Sequence, residues 1–146
     1  MTIRKSVLVR CPPDRAFHLF TRQIGSWWPL QHGFSLGRER AKEIFLDDAV
    51  GGRFYERLND GTELEIGRVI DCDPPRRIVV TWRLPDWETD SEVEVRFTAD
   101  GDGTRVELEH RGLEPTPERE GAFNGGWATV LGHYVEAANR VQRSSR

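Results

Sequence analysis

Gly67-Arg-Val-Ile-Asp-Cys-Asp-Pro-Pro-Arg-Arg-Ile-Val-Val-Thr-Trp82 decides the fold. Two strand-forming runs, residues 68–72 and 78–82, flank Asp73-Pro74-Pro75-Arg76. Aspartate before proline favours a turn, because the ring presets one turn dihedral and pushes the preceding residue out of helical space. Proline has no N–H to give a ladder, so neither proline belongs inside a strand. The stretch reads as an antiparallel hairpin on a stiff loop. Strand-like runs lie on both sides of it, and helix-like runs lie at the two ends of the chain.

Upstream, residues 2–10 alternate: Ile3, Val7 and Val9 share one parity against Arg4, Ser6 and Arg10, with Leu8 the exception. That is a half-buried strand. Cys11-Pro12-Pro13-Asp14 ends it and opens a short helix, since proline suits the first turn and an acid suits the positive helix end. Ala16, Phe17, Phe20 and Ile24 share a face of that helix, and Gly25 breaks it. In Trp27-Trp28 the two rings must point different ways. Residues 30–40, with His32, Gly33, Phe34 and Gly37, read as a mobile loop able to act as a lid, or as a plain surface loop. Residues 41–46 and 53–58 read as strands around a glycine turn. Asn59-Asp60-Gly61 is a hairpin turn signal, and residues 84–90 read as a loop.

Downstream the alternation is cleanest. Val93, Val95 and Phe97 oppose Glu92, Glu94 and Arg96; Val106, Leu108 and His110 oppose Arg105, Glu107 and Glu109. One face is apolar and the other charged, as in an antiparallel sheet wet on one side. Thr116-Pro117-Glu118 then starts a helix. Phe123, Trp127, Leu131, Tyr134, Ala138 and Val141 form its apolar stripe, which runs to about residue 143. Gly125-Gly126 predicts a bend or a later start. The basic tail after Arg140 is expected to be a frayed end. A sheet with one apolar face must cover it, and the terminal helix is the only large cover available. A cavity between the two is a natural consequence.

Composition bounds the function. The chain has 146 residues, 37% hydrophobic and 31% charged, with a net charge of −3. One domain, residues 1–146, is expected. The charge shows no basic stripe for nucleic acid, and no apolar run approaches the ~20 residues of a membrane span. No apolar leader opens the chain, so a cytoplasmic location is expected. Cys11 and Cys72 read as free thiols. Five tryptophans, seven phenylalanines and two tyrosines must go into a core, a pocket or an interface.

Several pieces together carry a resemblance: Cys11-Pro-Pro-Asp-Arg-Ala-Phe17, Trp27-Trp28-Pro29, Val50-Gly-Gly-Arg53, Asp60-Gly61, Gly67 through Trp82, Gly101-Asp-Gly-Thr104, His110-Arg-Gly-Leu113 and Gly126-Trp127. The chain resembles the START-like (SRPBCC) superfamily, in the branch named after the activator of the 90-kDa heat-shock protein's ATPase. The resemblance implies an α+β helix-grip fold. In it a curved seven-stranded antiparallel sheet wraps a long C-terminal helix, with two short helices after the first strand and a hydrophobic cavity inside. Superfamily members bind lipids, sterols, hormones or polyketides, and a minority are cyclases or hydroxylases. The co-chaperone that names the branch carries a separate amino-terminal domain for which these residues hold no room, so its name is not expected to be this chain's activity.

The expected function is binding of a small hydrophobic or aromatic ligand, with Trp27, Trp28, Trp82, Phe97, His110, Trp127, Leu131 and Tyr134 as pocket residues. No metal, cofactor or catalytic motif is visible: His18, His32, His110 and His133 make no local metal pattern, and no serine sits in a nucleophile context. His110 reads first as a satisfied core histidine at the end of the sheet. Glu56 shares parity with Phe54 and Leu58, yet a charged side chain near a twisted edge is expected outside; an inward Glu56 would be a functional candidate. The alternatives are a cyclase or dehydratase acting on a polyketide-like substrate through His110, Tyr134 or Glu56, and a chaperone-related protein-binding module. A homodimer stays open.

Overall fold

In the computed structural model, which describes residues 1–32, 34–85 and 87–144, the chain runs through seven strands and two α-helices. These are β1 (Ile3–Val9), α1 (Pro13–Phe20), β2 (Ala41–Leu46), β3 (Arg53–Leu58), β4 (Glu63–Asp73), β5 (Arg77–Trp82), β6 (Ser91–Asp100), β7 (Gly103–Arg111) and α2 (Pro117–Ser144). Between α1 and β2 lie three single-turn 3-10 segments, Ile24–Ser26, Leu30–His32 and Arg38–Arg40. The short helices expected after the first strand are thus one α-helix and a run of tighter turns. Gly33 of the expected lid, Asp86 of the loop after β5, and the tail residues Ser145 and Arg146 lie outside the described residues.

All neighbouring strands are antiparallel, in the order β1-β7-β6-β5-β4-β3-β2. The β4–β5 hairpin around Asp73-Pro74-Pro75-Arg76 therefore sits at the centre of the sheet. Register shifts interrupt the β2–β3, β3–β4 and β4–β5 ladders. Such irregularities sharpen the twist, and the sheet curls into a half-barrel around α2. Gly67 makes one close crossing possible: a Cβ there would lie 1.7 Å from the Thr81 carbonyl oxygen. The Arg68 N–H donates to Thr81 Oγ1 at 2.8 Å, and this crossing sets where β5 delivers Trp82.

Alternation becomes packing as expected. Val93, Val95, Phe97, Val106, Leu108 and His110 are all buried on the concave face. The covering stripe of α2 is Trp127, Val130, Leu131, Tyr134, Ala137 and Ala138. Thr116 caps α2 by accepting the Arg119 N–H on Oγ1 at 3.2 Å. The helix runs unbroken through Gly125-Gly126; the anchoring of Phe123 and Trp127 on the sheet side outweighs the local propensity loss. The Tyr134 hydroxyl donates to the Ala16 carbonyl at 2.8 Å and ties α2 to α1.

The outer face departs from its expectation at one position. Glu94 is not solvated; its side chain is 5% exposed, enclosed by Arg77 and Arg96 at 2.6 Å and Arg111 at 2.8 Å. Burial alone would raise its pKa, but hydrogen bonds from the three guanidinia prevail and bring it to about 2.

Candidate functional site

Three strands (β3, β4 and β5), the segment just after β5, α2 and the loop before β2 meet around a cavity of about 180 Å³ on the concave side of the sheet. Its aromatic walls are Trp28, Phe34, Trp82 and Phe123. Leu36, Ile66 and Leu84 complete the apolar lining, and Ser35 and Glu56 are the polar groups. By contrast, a depression of about 220 Å³ on the outer face lies among Arg4, Glu94, Arg96 and Glu109, whose charges are already committed to one another or to neighbours.

The aromatic cluster behind the cavity is continuous. The Trp82 ring lies 5.5 Å from those of Phe54, Trp127 and His110, and Trp28 lies 6.4 Å from Trp82. His110 is fully buried and holds two partners. Trp127 Nε1–H donates to His110 Nδ1 at 3.0 Å. Nδ1 is then the acceptor, so Nε2 carries the proton and donates to Ser91 Oγ at 2.8 Å. Ser91 in turn donates to the Trp82 carbonyl at 2.8 Å. The chain runs one way, from α2 across β7 and β6 to β5. Burial lowers the His110 pKa to about 4, so the ring is neutral at pH 7.

Glu56 corrects the sequence reading. It is buried, 1% exposed, beside Phe54 and Leu58. Tyr55 takes the outer face instead, stacked on Phe45 and covered by Arg53. The charge is tolerated inside because the loop supplies donors: Leu36 N–H reaches Oε2 at 2.7 Å and Gly37 N–H reaches Oε1 at 3.0 Å. Burial still raises the carboxyl above its usual value, against the lowering by those two N–H groups.

The loop read from sequence as a mobile lid or a plain surface loop is tied down by more than this clasp. Trp28 Nε1–H donates to the Phe34 carbonyl at 2.7 Å. A Cβ on Gly126 of α2 would stand 3.3 Å from the Phe34 ring. Residues 34–37 thus form a strap across the cavity, held by β3 on one side and leaning on α2 on the other.

The eight expected pocket residues divide. Trp28 and Trp82 line the cavity. His110 and Trp127 stand directly behind Trp82. The other four lie deeper in the core. Trp27 donates to the Leu19 carbonyl at 2.8 Å, and Phe97 packs edge-on against Phe17 and Phe20. Leu131 is 2% exposed and Tyr134 fully buried. Sequence reasoning missed Phe34, Leu36, Ile66, Leu84 and Phe123 as wall residues. Phe123 was within reach, since it shares the helical stripe of Trp127.

Most indole nitrogens in this cluster are satisfied. The exception is Trp82 Nε1, the one buried side-chain nitrogen or oxygen without a hydrogen-bond partner among the described residues. Among the described residues, no three His, Cys, Asp or Glu side chains gather as a metal site, and no helix is long and apolar enough to cross a membrane.

No curated protein matches the chain by sequence. Among solved structures, Txn09, an anthrahydroquino-γ-pyrone synthase complexed with SUM, is 39% identical with a TM-score of 0.54, over 75% of each chain. CalU16 from Micromonospora echinospora is 28% identical with a TM-score of 0.56, over 90% of this chain and 71% of that one. The Aha1 dimer from Colwellia psychrerythraea shares the fold with a TM-score of 0.74 at 17% identity, over 95% of this chain and 96% of that one. The family model described as "Activator of Hsp90 ATPase homolog 1-like protein" matches residues 10–138, and this chain belongs to that family.

Proposed function

We propose that the chain binds a small aromatic molecule in the cavity between the sheet and α2. The observation that carries this reading is the wall itself: four aromatic rings around about 180 Å³, with Glu56 and Ser35 as the polar groups. Such a site gains by burying flat apolar surface and by ring stacking. Its volume is below the ~300 Å³ at which drug-sized pockets begin, so a ligand of more than about two fused rings has to displace the strap at residues 34–37. Of the eight residues expected from sequence, this reading gives direct contact to Trp28 and Trp82 and a supporting role to the rest. Native mass spectrometry of the protein isolated from its own host tests it. A reproducible noncovalent mass excess that vanishes on denaturation is expected; a clean apo mass together with no uptake of naphthalene-sized aromatics would contradict it.

A second reading is favoured by the 39% identity to Txn09, described as a synthase. In it the chain is a cyclase-type enzyme acting on a polyketide-like aromatic. Of the three polar groups weighed from sequence, Glu56 is in the cavity wall and would move the proton. His110 has both nitrogens engaged and Tyr134 its hydroxyl. Abolished turnover in Glu56→Gln with ligand binding retained is the expected signature. The Colwellia protein is described as a dimer. A homodimer of this chain is carried as a further part of the proposal and is read by sedimentation velocity. The protein-binding alternative is less well supported, because the exposed large apolar side chains are only Leu8, Val50 and Ile70 among the described residues.

A further inference from the structure

Glu56 and Leu36 both line the cavity. Glu56 is a buried carboxylate with no basic side chain against it among the described residues. Its donors there are two backbone N–H groups of the strap, Leu36 to Oε2 at 2.7 Å and Gly37 to Oε1 at 3.0 Å. One donor on each oxygen is the fork pattern by which a guanidinium holds a carboxylate. The strap supplies that pattern without the charge, and burial keeps the carboxyl above its ordinary pKa. The strap also ends in a constrained turn. Arg38, next after Gly37, has φ 53°, a left-handed conformation that a residue with a long side chain holds only where its surroundings impose it. The Ser35 hydroxyl donates to the Arg38 carbonyl at 3.3 Å, and the Arg40 N–H to the Gly37 carbonyl at 3.0 Å.

Resting on the reading of this cavity as an aromatic-ligand site, we propose that the two strap N–H groups hold the place of a ligand, and that Glu56 selects flat aromatic heterocycles with two adjacent N–H donors on one edge. That edge is the N–C–N of 2-aminopyrimidines and 2-aminoimidazoles. Room for it at the carboxylate is defined by the strap itself: the ligand nitrogens take the positions that the Leu36 and Gly37 nitrogens vacate, each within 3.0 Å of a carboxylate oxygen. The exchange is two hydrogen bonds for two, so lifting the strap forfeits none at Glu56. Release of Arg38 from its left-handed backbone favours the lifted state. A protonated ligand adds the countercharge that the strap cannot give, and Trp28, Trp82 and Phe123 offer it their rings. An aromatic that lacks the second donor leaves one carboxylate oxygen bare inside the protein, and that cost sets the selectivity.

Isothermal titration calorimetry with two near-isosteric probes tests this: 2-aminobenzimidazole, which carries the donor pair, and 2-methylbenzimidazole, in which a methyl replaces the amino group. The wild-type protein should bind the amino compound at least about tenfold more tightly, the ratio expected for one charge-assisted hydrogen bond made or lost. Glu56→Gln keeps the shape of the wall and turns one acceptor into a donor, so its ratio should fall to about one. Hydrogen exchange of the wild type saturated with 2-aminobenzimidazole should show the Leu36 and Gly37 amides losing protection, because a ligand held under a closed strap would leave them protected. Equal affinity of the wild type for both probes would overturn the inference. So would a preference that survives in Glu56→Gln, or undiminished protection at the two amides. Binding of 2-acetylnaphthalene but of neither benzimidazole overturns the inference and leaves the aromatic-cavity reading standing; binding of none of the three overturns both. The wild-type ratio and exchange decide without the variant, so an unfolded Glu56→Gln does not protect the proposal.

Discussion

Trp127 donates its indole N–H to Nδ1 of His110 at 3.0 Å, and this single bond sets the tautomer of a histidine that is fully buried. The opposite nitrogen is thereby a donor, and Ser91 passes the chain on to the backbone of Trp82. A protonated ring would have to turn the Trp127 N–H away. The arrangement is built for a neutral imidazole, and α2 is held to the sheet directly behind the cavity by it.

A pH dependence follows. The folded pKa of His110 is about 4, below its ordinary 6.5. The unfolded chain therefore takes up the proton first as pH falls. The contribution is fully present above about pH 6.5 and is lost as pH drops towards 4, by on the order of 3 kcal/mol in total. Urea unfolding of the wild type and of His110→Gln at pH 7 and pH 5 measures it. The wild type should lose stability between the two and the variant should lose markedly less; parallel curves would contradict the account.

The Glu56 clasp predicts a local effect. Glu56→Gln keeps one acceptor oxygen and turns the other into a donor facing an N–H, a cost of about 1–3 kcal/mol. Hydrogen exchange should show the Leu36 and Gly37 amides, now bonded to the carboxylate, exchanging faster while the central strands keep their protection. Unchanged protection at those two amides would remove the clasp from the account.

What could be read in advance divides along physical lines. Alternation, turn chemistry and the helical stripe are local, so the strands, the antiparallel sheet and the covering helix were all legible. So was the inward face shared by Phe54, Glu56 and Leu58. The burial of Glu56 was not, because a lone carboxylate inside is costly and its two donors come from residues 20 and 19 positions earlier. The same holds for Glu94, whose three arginines sit on β5, β6 and β7 and meet only once the register is set. The cavity wall was half legible: Trp28 and Trp82 were expected on composition and placement, while Phe34 and Leu36 arrive on a loop with no periodicity to read.

Glu94 should govern the acid limb of stability. Its pKa is held at about 2, so its contribution is present above about pH 4.5 and lost as pH falls from there towards 2. Two of the arginines are about one-third exposed and Arg96 more so, and solvent screening reduces the effect. Glu94→Gln at pH 7 should cost about 1–3 kcal/mol in chemical denaturation. A variant as stable as the wild type at pH 7 would show the cluster to be energetically neutral.

Gly67 is the most exacting position in the sheet. Alanine there would set a Cβ 1.7 Å from the Thr81 carbonyl oxygen, and only a shift of β5 could relieve it. Gly67→Ala should lose roughly 3 kcal/mol or more and displace Trp82. A loss below about 1 kcal/mol in thermal or urea unfolding would show that the β4–β5 crossing is looser than described.

The central claim is that an aromatic molecule enters the cavity between the sheet and α2, against Trp28 and Trp82. The most direct measurement is a titration of 15N-labelled protein with 2-acetylnaphthalene, followed by two-dimensional NMR with the indole N–H signals assigned. The account predicts saturable shifts of the Trp28 and Trp82 indole signals and of the Leu36 and Gly37 amides, with the amides around Glu94 and Arg96 on the outer face unmoved. An absence of saturable shifts, or shifts confined to that outer face, would contradict it.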